Sequence, residues 1–265
     1  MGRCSEPKIS IVIPARNEAR NLEVVLPELP EVDQVVVVDG QSVDGTLDVA
    51  RHLLPNVTAV EQTRRGKGNA LACGFEAAFG DIIIMFDADG SADPAEIPNF
   101  VNALTAGGDF AKGTRFQTGG GSMDITVLRR AGNAALNQLT NRLFHTRFTD
   151  LCYGYNAMWR DIVPSLGLPP VNPQGTINPM PWGDGFEIET VINCRIAAAG
   201  LKIAEVPSVE RERIFGDTNL RTFADGSRVL RTIIAEYFRF RGTRQSAVAK
   251  ARAQTLAKFA GEEAQ

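Results

Sequence analysis

Apolar and polar positions change rhythm repeatedly along this chain. "KISIVIPA" (8–15), "QVVVVDG" (34–40), "NVTAVEQ" (56–62), "DIIIMFDAD" (81–89) and "DFAKGTR" (109–115) are short and rich in apolar, often β-branched residues, the pattern of buried strands. Between them run helical patterns that begin near Glu18, Val43, Gly68 and Pro94, beside the Asn, Ser, Gly and Pro residues favoured at helix entrances. This alternation predicts an α/β fold, a mainly parallel central sheet with helices on both faces.

The second half changes character. "GTRFQTGGGSMD" reads as a loop, followed by a helix over 125–144 and a short strand, "YGYNAMW". A loop with five prolines covers 169–183, then come a helix, "FEIETVINCRIAAAG", and a strand, "LKIAEVPSVERER". From Arg228 onward, Val229, Leu230, Ile233, Ile234, Tyr237 and Phe238 fall at helical spacing. One domain is expected over 1–242, with a weakly packed or frayed helical tail over 243–265.

Ligands of such sheets gather beyond the carboxyl ends of the strands. Polar residues accumulate there in "PARNE" (14–18), "DGQSVDGT" (39–46) and "DADGSAD" (87–93). Asp87 and Asp89, two apart in extended chain, project to one side. With Ala88 between them, they suit a hard divalent cation, Mg²⁺ or Mn²⁺, that keeps phosphate oxygens in its shell. Alone, the pair reads equally well as a strand cap and a turn at Gly90. "RRGKGNAL" (64–71) sets Gly66, Lys67 and Gly68 ahead of a helix whose N–H groups can face an anion, although a plain helix entrance is the commoner meaning. The spacing is neither a P-loop nor a dinucleotide fingerprint, which disfavours an ATPase and a nicotinamide dehydrogenase.

Composition narrows the classes further. The chain has 265 residues, 44% of them apolar, so a folded core is expected and global disorder is not. A formal charge of −3 gives no bulk attraction for nucleic acid. Four scattered cysteines without C-x-x-C spacing and two histidines argue against a zinc site. With no signal-peptide core and no membrane-length apolar run, a cytoplasmic protein is expected. Arg228, Arg231, Arg239 and Arg241 interleave with the last apolar stripe. Such a helix lies on an anionic membrane, peripherally at its inner face, or packs on its own domain or on a second subunit.

The motif set resembles a known family. "IVIPARNE", "VVVVDGQSVDGT", "RRGKGNAL" and "MFDADGSADP" stand in the order and approximate spacing of family 2 glycosyltransferases with the GT-A fold, a Rossmann-like architecture. "GTRF", "RRAGNAALN", "DLCYGYNAMWRD", "GFEIETVINCRIAAAGLKIAEVP" and "RERIFGDTNL" resemble its dolichyl-phosphate mannosyltransferase branch, and the likeness spans roughly residues 8–222. It implies a nucleotide-binding half over about 8–115 and an acceptor half over about 116–242. Pro14, Ala15, Asn17 and Glu18 with Asp39 would hold the nucleoside, with Gln41 beside them. Lys67 and Gly68 would lie near the base or diphosphate, and Asp87 and Asp89 would bind the metal–diphosphate unit. Arg115, Arg130 and Arg213 become candidates for an acceptor phosphate, although each arginine singly reads as a surface residue.

The implied reaction is inverting transfer of a hexose from a nucleotide-diphosphate sugar, GDP-mannose or a UDP-sugar, to a polyprenyl phosphate. A neutral hydroxyl acceptor, soluble or polymeric, would instead require a base, for which Asp184 and Glu187 are the candidates. Asp184 reads equally as a helix N-cap, and Asp150 as a structural residue. A nucleotidyltransferase and a non-catalytic sugar-nucleotide binder are the remaining alternatives. Ser91, Asn219 in "GDTNL" and the length of the 169–183 loop depart from the branch.

Overall fold

The computed structural model describes residues 3–123, 125–172, 180–216 and 224–242. Part of the proline-rich loop, Asn219 and the 243–265 tail lie outside them.

The parallel half begins with β1 (Ile9–Ala15), α1 (Ala19–Glu28), β2 (Gln34–Asp39), α2 (Thr46–Leu53), β3 (Thr58–Glu61), α3 (Lys67–Ala77) and β4 (Ile82–Met85). A 3₁₀ turn at Pro94–Glu96 leads into α4 (Ile97–Thr105), and β5 (Phe110–Thr114) follows. The second half contributes β6 (Gly121–Ser122), α5 (Val127–Phe144) and β7 (Asn156–Trp159). After it come α6 (Ile188–Ala198), β8 (Ile203–Pro207) and β9 (Val209–Glu210). A last helix, α7, covers 224–242.

Seven strands form one sheet in the order β3-β2-β1-β4-β7-β5-β8, and β6 and β9 form a separate parallel pair. All pairings in the large sheet are parallel except those of β7, which runs antiparallel to both β4 and β5. The expected mainly parallel sheet is therefore present, with one reversed strand supplied by "YGYNAMW". The continuous apolar runs are explained by burial on both faces: Ile11, Val12, Ile13, Val36, Val37, Val38, Ile82, Ile83 and Ile84 are all fully buried. Register across this core is pinned by one satisfied polar group. Ser10 Oγ donates to Gln34 Oε1 at 2.6 Å, while Gln34 Nε2 donates to Thr58 Oγ1 and to the Ala77 carbonyl, each at 3.0 Å.

Three boundaries differ from the sequence expectation. The fourth strand stops at Met85, so Asp87 and Asp89 stand in the turn that follows rather than in extended chain. The second helix starts at Thr46, because Asp44 leaves the helix to accept bonds from the Ala19 and Thr46 amides. "LKIAEVPSVERER" divides between β8 and β9, which belong to different sheets.

α7 splits its apolar stripe. Val229, Ile233, Tyr237 and Phe240 join Phe144, Phe148, Leu151 and Cys194 in a second core, whereas Leu230, Ile234 and Phe238 face outward. The helix is anchored by Glu236, whose carboxylate pairs with Arg195 at 2.9 Å and accepts from Trp182 Nε1 at 2.8 Å. Among the described residues no helix is long and apolar enough to cross a membrane.

Candidate active site

In this sheet β1 connects outward to β2 and β3, and the chain then returns to place β4 on the other side of β1. The crevice at the carboxyl ends of β1 and β4 is thus the switch point where open α/β sheets bind ligands.

The β1 and β2 ends are stitched into one wall. Asn17 Oδ1 accepts from the Val43 amide at 2.9 Å, and Ser42 Oγ accepts from the Asn17 amide at 2.8 Å. Thr46 Oγ1 accepts from the Glu18 amide, and the Gly40 amide bonds to the Ala15 carbonyl, following Pro14. Asn17 and Gln41 both hold left-handed backbone, φ 56° and 62°. Asparagine tolerates that region better than glutamine, so Gln41 is the more strained of the two. Asp39 is buried at the end of β2. Its Oδ2 accepts from the Ser42 amide at 3.0 Å, but its Oδ1 is buried without a hydrogen-bond partner in the protein. A buried carboxylate oxygen left in this way calls for a donor from a ligand or water.

The β4 end carries the aspartate pair, each member held by a different cation. Asp87 Oδ1 lies 2.7 Å from Lys67 Nζ, and Lys67 Nζ also lies 2.7 Å from Glu189 Oε1. Asp89 Oδ2 lies 2.9 Å from Arg213 Nη2, while Arg213 Nη1 reaches Glu18 Oε1 at 3.3 Å. Asp89 Oδ1 accepts from the Ser91 amide and hydroxyl at 3.0 and 2.7 Å. Ala88 between them is buried. Arg213 reaches this turn because the Ile214 amide bonds to the Asp89 carbonyl and the Arg211 amide to the Ser91 carbonyl. Gly90 is needed at the crossing: its φ is 78°, and a Cβ would collide with the Ile214 side chain. Desolvation opposes the Lys67 charge, but Asp87 and Glu189 outweigh it and raise its pKa. Burial raises Glu18, against the pull of Asn21 and Arg213.

The first-turn amides of α3 at Gly68 and Asn69 do not face an anion. Gly68 and Asn69 donate to the Asp184 carbonyl at 2.8 and 3.2 Å, and a Cβ on Gly68 would collide with the Gly183 carbonyl. In the "GKG" segment it is the Lys67 side chain that reaches the turn after β4, at Asp87. Asp184 itself is fully buried, with its carboxylate oxygens 2.6 and 3.0 Å from Arg64 nitrogens. Glu187 Oε1 accepts from the Gly183 and Gly185 amides.

Arg115 and Arg130 both lie over the Phe116 ring, their guanidinium carbons 5.6 and 5.4 Å from its centre. They differ in availability. Arg115 is enclosed: Asp150 takes its Nε and Nη2 at 2.6 and 2.9 Å, and Glu210 takes its Nη1 at 3.0 Å. Arg130 is exposed. Arg213 is tied to Glu18 and Asp89, as described above.

A groove of ≈ 600 Å³ borders this region, lined by Arg16, Asn17, Glu18, Arg20, Asn21, Asp44, Arg213, Phe215 and Gly216. Sequence reasoning passed over Glu189 and Arg64. Glu189 lies one turn beyond a visible Asp–Gly–Phe entrance, but only folding brings it to Lys67.

Among the described residues no three His, Cys, Asp or Glu side chains are grouped to hold a metal ion. The donor set is instead two carboxylates at the mouth of the sheet, all oxygen. That fits Mg²⁺ or Mn²⁺ arriving with diphosphate oxygens, rather than a resident ion in an all-protein cage.

Comparison with known proteins agrees with this architecture. The sequence model described as "Glycosyl transferase family 2" matches residues 10–167. The glycosyltransferase AglJ of Haloferax volcanii is 30% identical over 223 residues, 82% of this chain and 68% of the relative. The dolichol-phosphate mannosyltransferase of Pyrococcus furiosus is 27% identical over 81% of this chain, which spans 59% of that enzyme's length. Among solved structures, glucosyl-3-phosphoglycerate synthase from Mycobacterium tuberculosis, in complex with Mn²⁺, uridine diphosphate and glucosyl-3-phosphoglycerate, superposes with a TM-score of 0.64. It is 23% identical, covering 90% of this chain and 81% of that one, which speaks to a shared GT-A fold.

Proposed function

The chain belongs to glycosyl transferase family 2, and from that premise we propose that it moves a hexose from a nucleoside diphosphate sugar to a polyprenyl phosphate. The donor half is supported by the Lys67–Asp87 and Arg213–Asp89 ion pairs beyond β4 and by the buried, unpartnered Asp39 Oδ1 at the end of β2, on the other side of β1. Asp39 Oδ1 accepts from a nucleoside hydroxyl or base N–H. Pro14, Ala15, Asn17, Glu18 and Gln41 frame that pocket. Lys67 and Arg213 supply cations to the diphosphate. Asp87 and Asp89 hold Mg²⁺ or Mn²⁺, which when bound neutralises charge on the departing diphosphate.

Two observations favour a phosphate acceptor over a hydroxyl. Of the two candidate bases, Glu187 accepts from the Gly183 and Gly185 amides through Oε1, and Asp184 is buried and ion-paired through both oxygens with Arg64. Asp184 serves in this reading as a structural clamp. A phosphate oxygen arrives deprotonated and attacks the sugar carbon without a protein base. Beside Arg130, Val127 and Leu128 are exposed at the start of α5. A cation next to apolar side chains matches a phosphate head followed by a prenyl chain, and the relatives named above include a dolichol-phosphate mannosyltransferase.

The test starts with a thermal-shift screen of nucleoside diphosphates and nucleotide sugars with Mn²⁺, which identifies the donor without an acceptor. Transfer to a short-chain prenyl phosphate is then compared for Arg130→Ala and Asp184→Asn. We expect Arg130→Ala to weaken acceptor affinity roughly ten- to hundredfold. Asp184→Asn should lower stability while leaving the pH profile of transfer in place. Normal acceptor affinity in Arg130→Ala together with an inactive but folded Asp184→Asn would move the assignment to a hydroxyl acceptor.

A further inference from the structure

The two cation contacts at the aspartate pair follow one plan. Lys67 is shared between Asp87 and Glu189, and Arg213 between Asp89 and Glu18. Each cation therefore touches one carboxylate of the pair and one glutamate outside it. The glutamates come from separate elements, Glu18 from the N-cap of α1 and Glu189 from the first turn of α6. Side-chain exposures of 15–34% place all six groups at the edge of solvent, where contacts can exchange.

We propose that Lys67 and Arg213 compete with the divalent cation for Asp87 and Asp89. When a metal–diphosphate loads, they withdraw onto Glu189 and Glu18, which act as positioning residues. This rests on the donor reading above. Four carboxylates facing two protein cations leave an excess of negative charge that suits a divalent ion. A bare ion must nevertheless take the two aspartates away from partners already 2.7 and 2.9 Å distant. With a diphosphate present, the displaced ammonium and guanidinium gain phosphate oxygens as well as keeping their glutamates. Metal and nucleotide then strengthen one another's binding by the same factor. The device loads the metal as part of the donor rather than as a separate ion.

The exchange predicts opposite signs on the two sides of each cation. Removing the cation frees its aspartate for metal. Removing the glutamate leaves the cation with only the aspartate, so metal competes less well. The experiment is calorimetric titration of Mn²⁺ into the full chain, alone and with saturating uridine or guanosine diphosphate, whichever gives the larger thermal shift. In the wild type the diphosphate should tighten Mn²⁺ binding about tenfold or more. Lys67→Met and Arg213→Met should each raise affinity for Mn²⁺ alone by about threefold to fivefold while lessening the gain from diphosphate. Glu189→Gln and Glu18→Gln should each lower affinity for Mn²⁺ alone. Lys67→Arg, which restores the charge, should return it toward the wild-type value. Circular dichroism melting confirms that each variant is folded.

A purely structural role for these residues would shift Lys67→Met and Glu189→Gln in the same direction. That outcome, in a protein that still binds the diphosphate, overturns the exchange and leaves the donor reading intact. A wild type that binds no nucleoside diphosphate with Mn²⁺ overturns the donor reading, and the exchange with it.

Discussion

Arg115 and Arg213 each reach two carboxylates on different segments, yet one has 9% of its side chain exposed and the other 29%. Around Arg115 the contacts close on themselves. Asp150 is fully buried and also accepts from Asn133 Nδ2 and the Arg115 amide, and Glu210 accepts from the Ser122 hydroxyl. Burial opposes both charges of the Arg115–Asp150 pair. The pairing prevails, holding Asp150 below the usual carboxylate range and Arg115 above its own. Arg213 and its partner Glu18 line a groove instead, and no such enclosure exists. The difference teaches what each can do. An ion pair that water cannot reach resists exchange and serves the fold, whereas one at the rim can give up a partner to a ligand.

The largest expected effect lies on the closed side. Asp150→Ala leaves a buried guanidinium short of its main partner and should cost about 3–5 kcal/mol of stability, read from urea unfolding. Asp89→Ala at the rim should change stability by less than about 1 kcal/mol, yet abolish metal-dependent nucleotide binding. Similar losses of stability in the two variants would erase the contrast.

Lys112 sharpens the comparison by pH. It sits fully buried in β5, with Nζ donating to the Tyr153 and Gly113 carbonyls at 2.7 and 2.9 Å. Burial pushes it down to about 8 from 10.5, although Asp150 favours the charge. The unfolded chain therefore holds this proton more tightly. The folded state carries the full penalty below about pH 8 and sheds it as pH rises toward 10.5, a span of about 3 kcal/mol. Replacing the ammonium by an apolar chain removes that dependence. The stability of Lys112→Met relative to wild type should accordingly decline between pH 7.5 and pH 9.5. A constant difference would place the Lys112 titration outside this interval.

The smallest effect belongs to the wall joining the β1 and β2 ends. Gln41→Gly relieves a left-handed φ of 62° and should raise stability by about 0.5 kcal/mol, once the added flexibility of glycine is subtracted. Nucleotide affinity should fall in the same variant if the Gln41 side chain touches the nucleoside. A loss of stability would show that its side chain, not its backbone, dominates.

The polar strand ends were legible because they are local. Asp39 ends a buried strand, Asn17, Asp87 and Asp89 follow within a few residues of one, and a strand end fixes where its next few residues emerge. The arginines of the second half were less legible because arginines carry no local sign of burial. Arg115 and Arg130 look alike in sequence, and only their distance from Asp150 and Glu210 separates them.

The sequence by itself determined the order of strands and helices, the mainly parallel sheet and the polar strand ends, since periodicity and turn chemistry act over a few residues. Tertiary structure alone decided the rest. It reversed β7 between β4 and β5, spent the Gly68 and Asn69 amides on the Asp184 carbonyl, and closed Asp184 onto Arg64. It also brought Glu189 to Lys67 from 122 positions away and Glu18 to Arg213 from 195. Charge pairs are set by distance in space and by exclusion of water, and neither is encoded within a short window of chain.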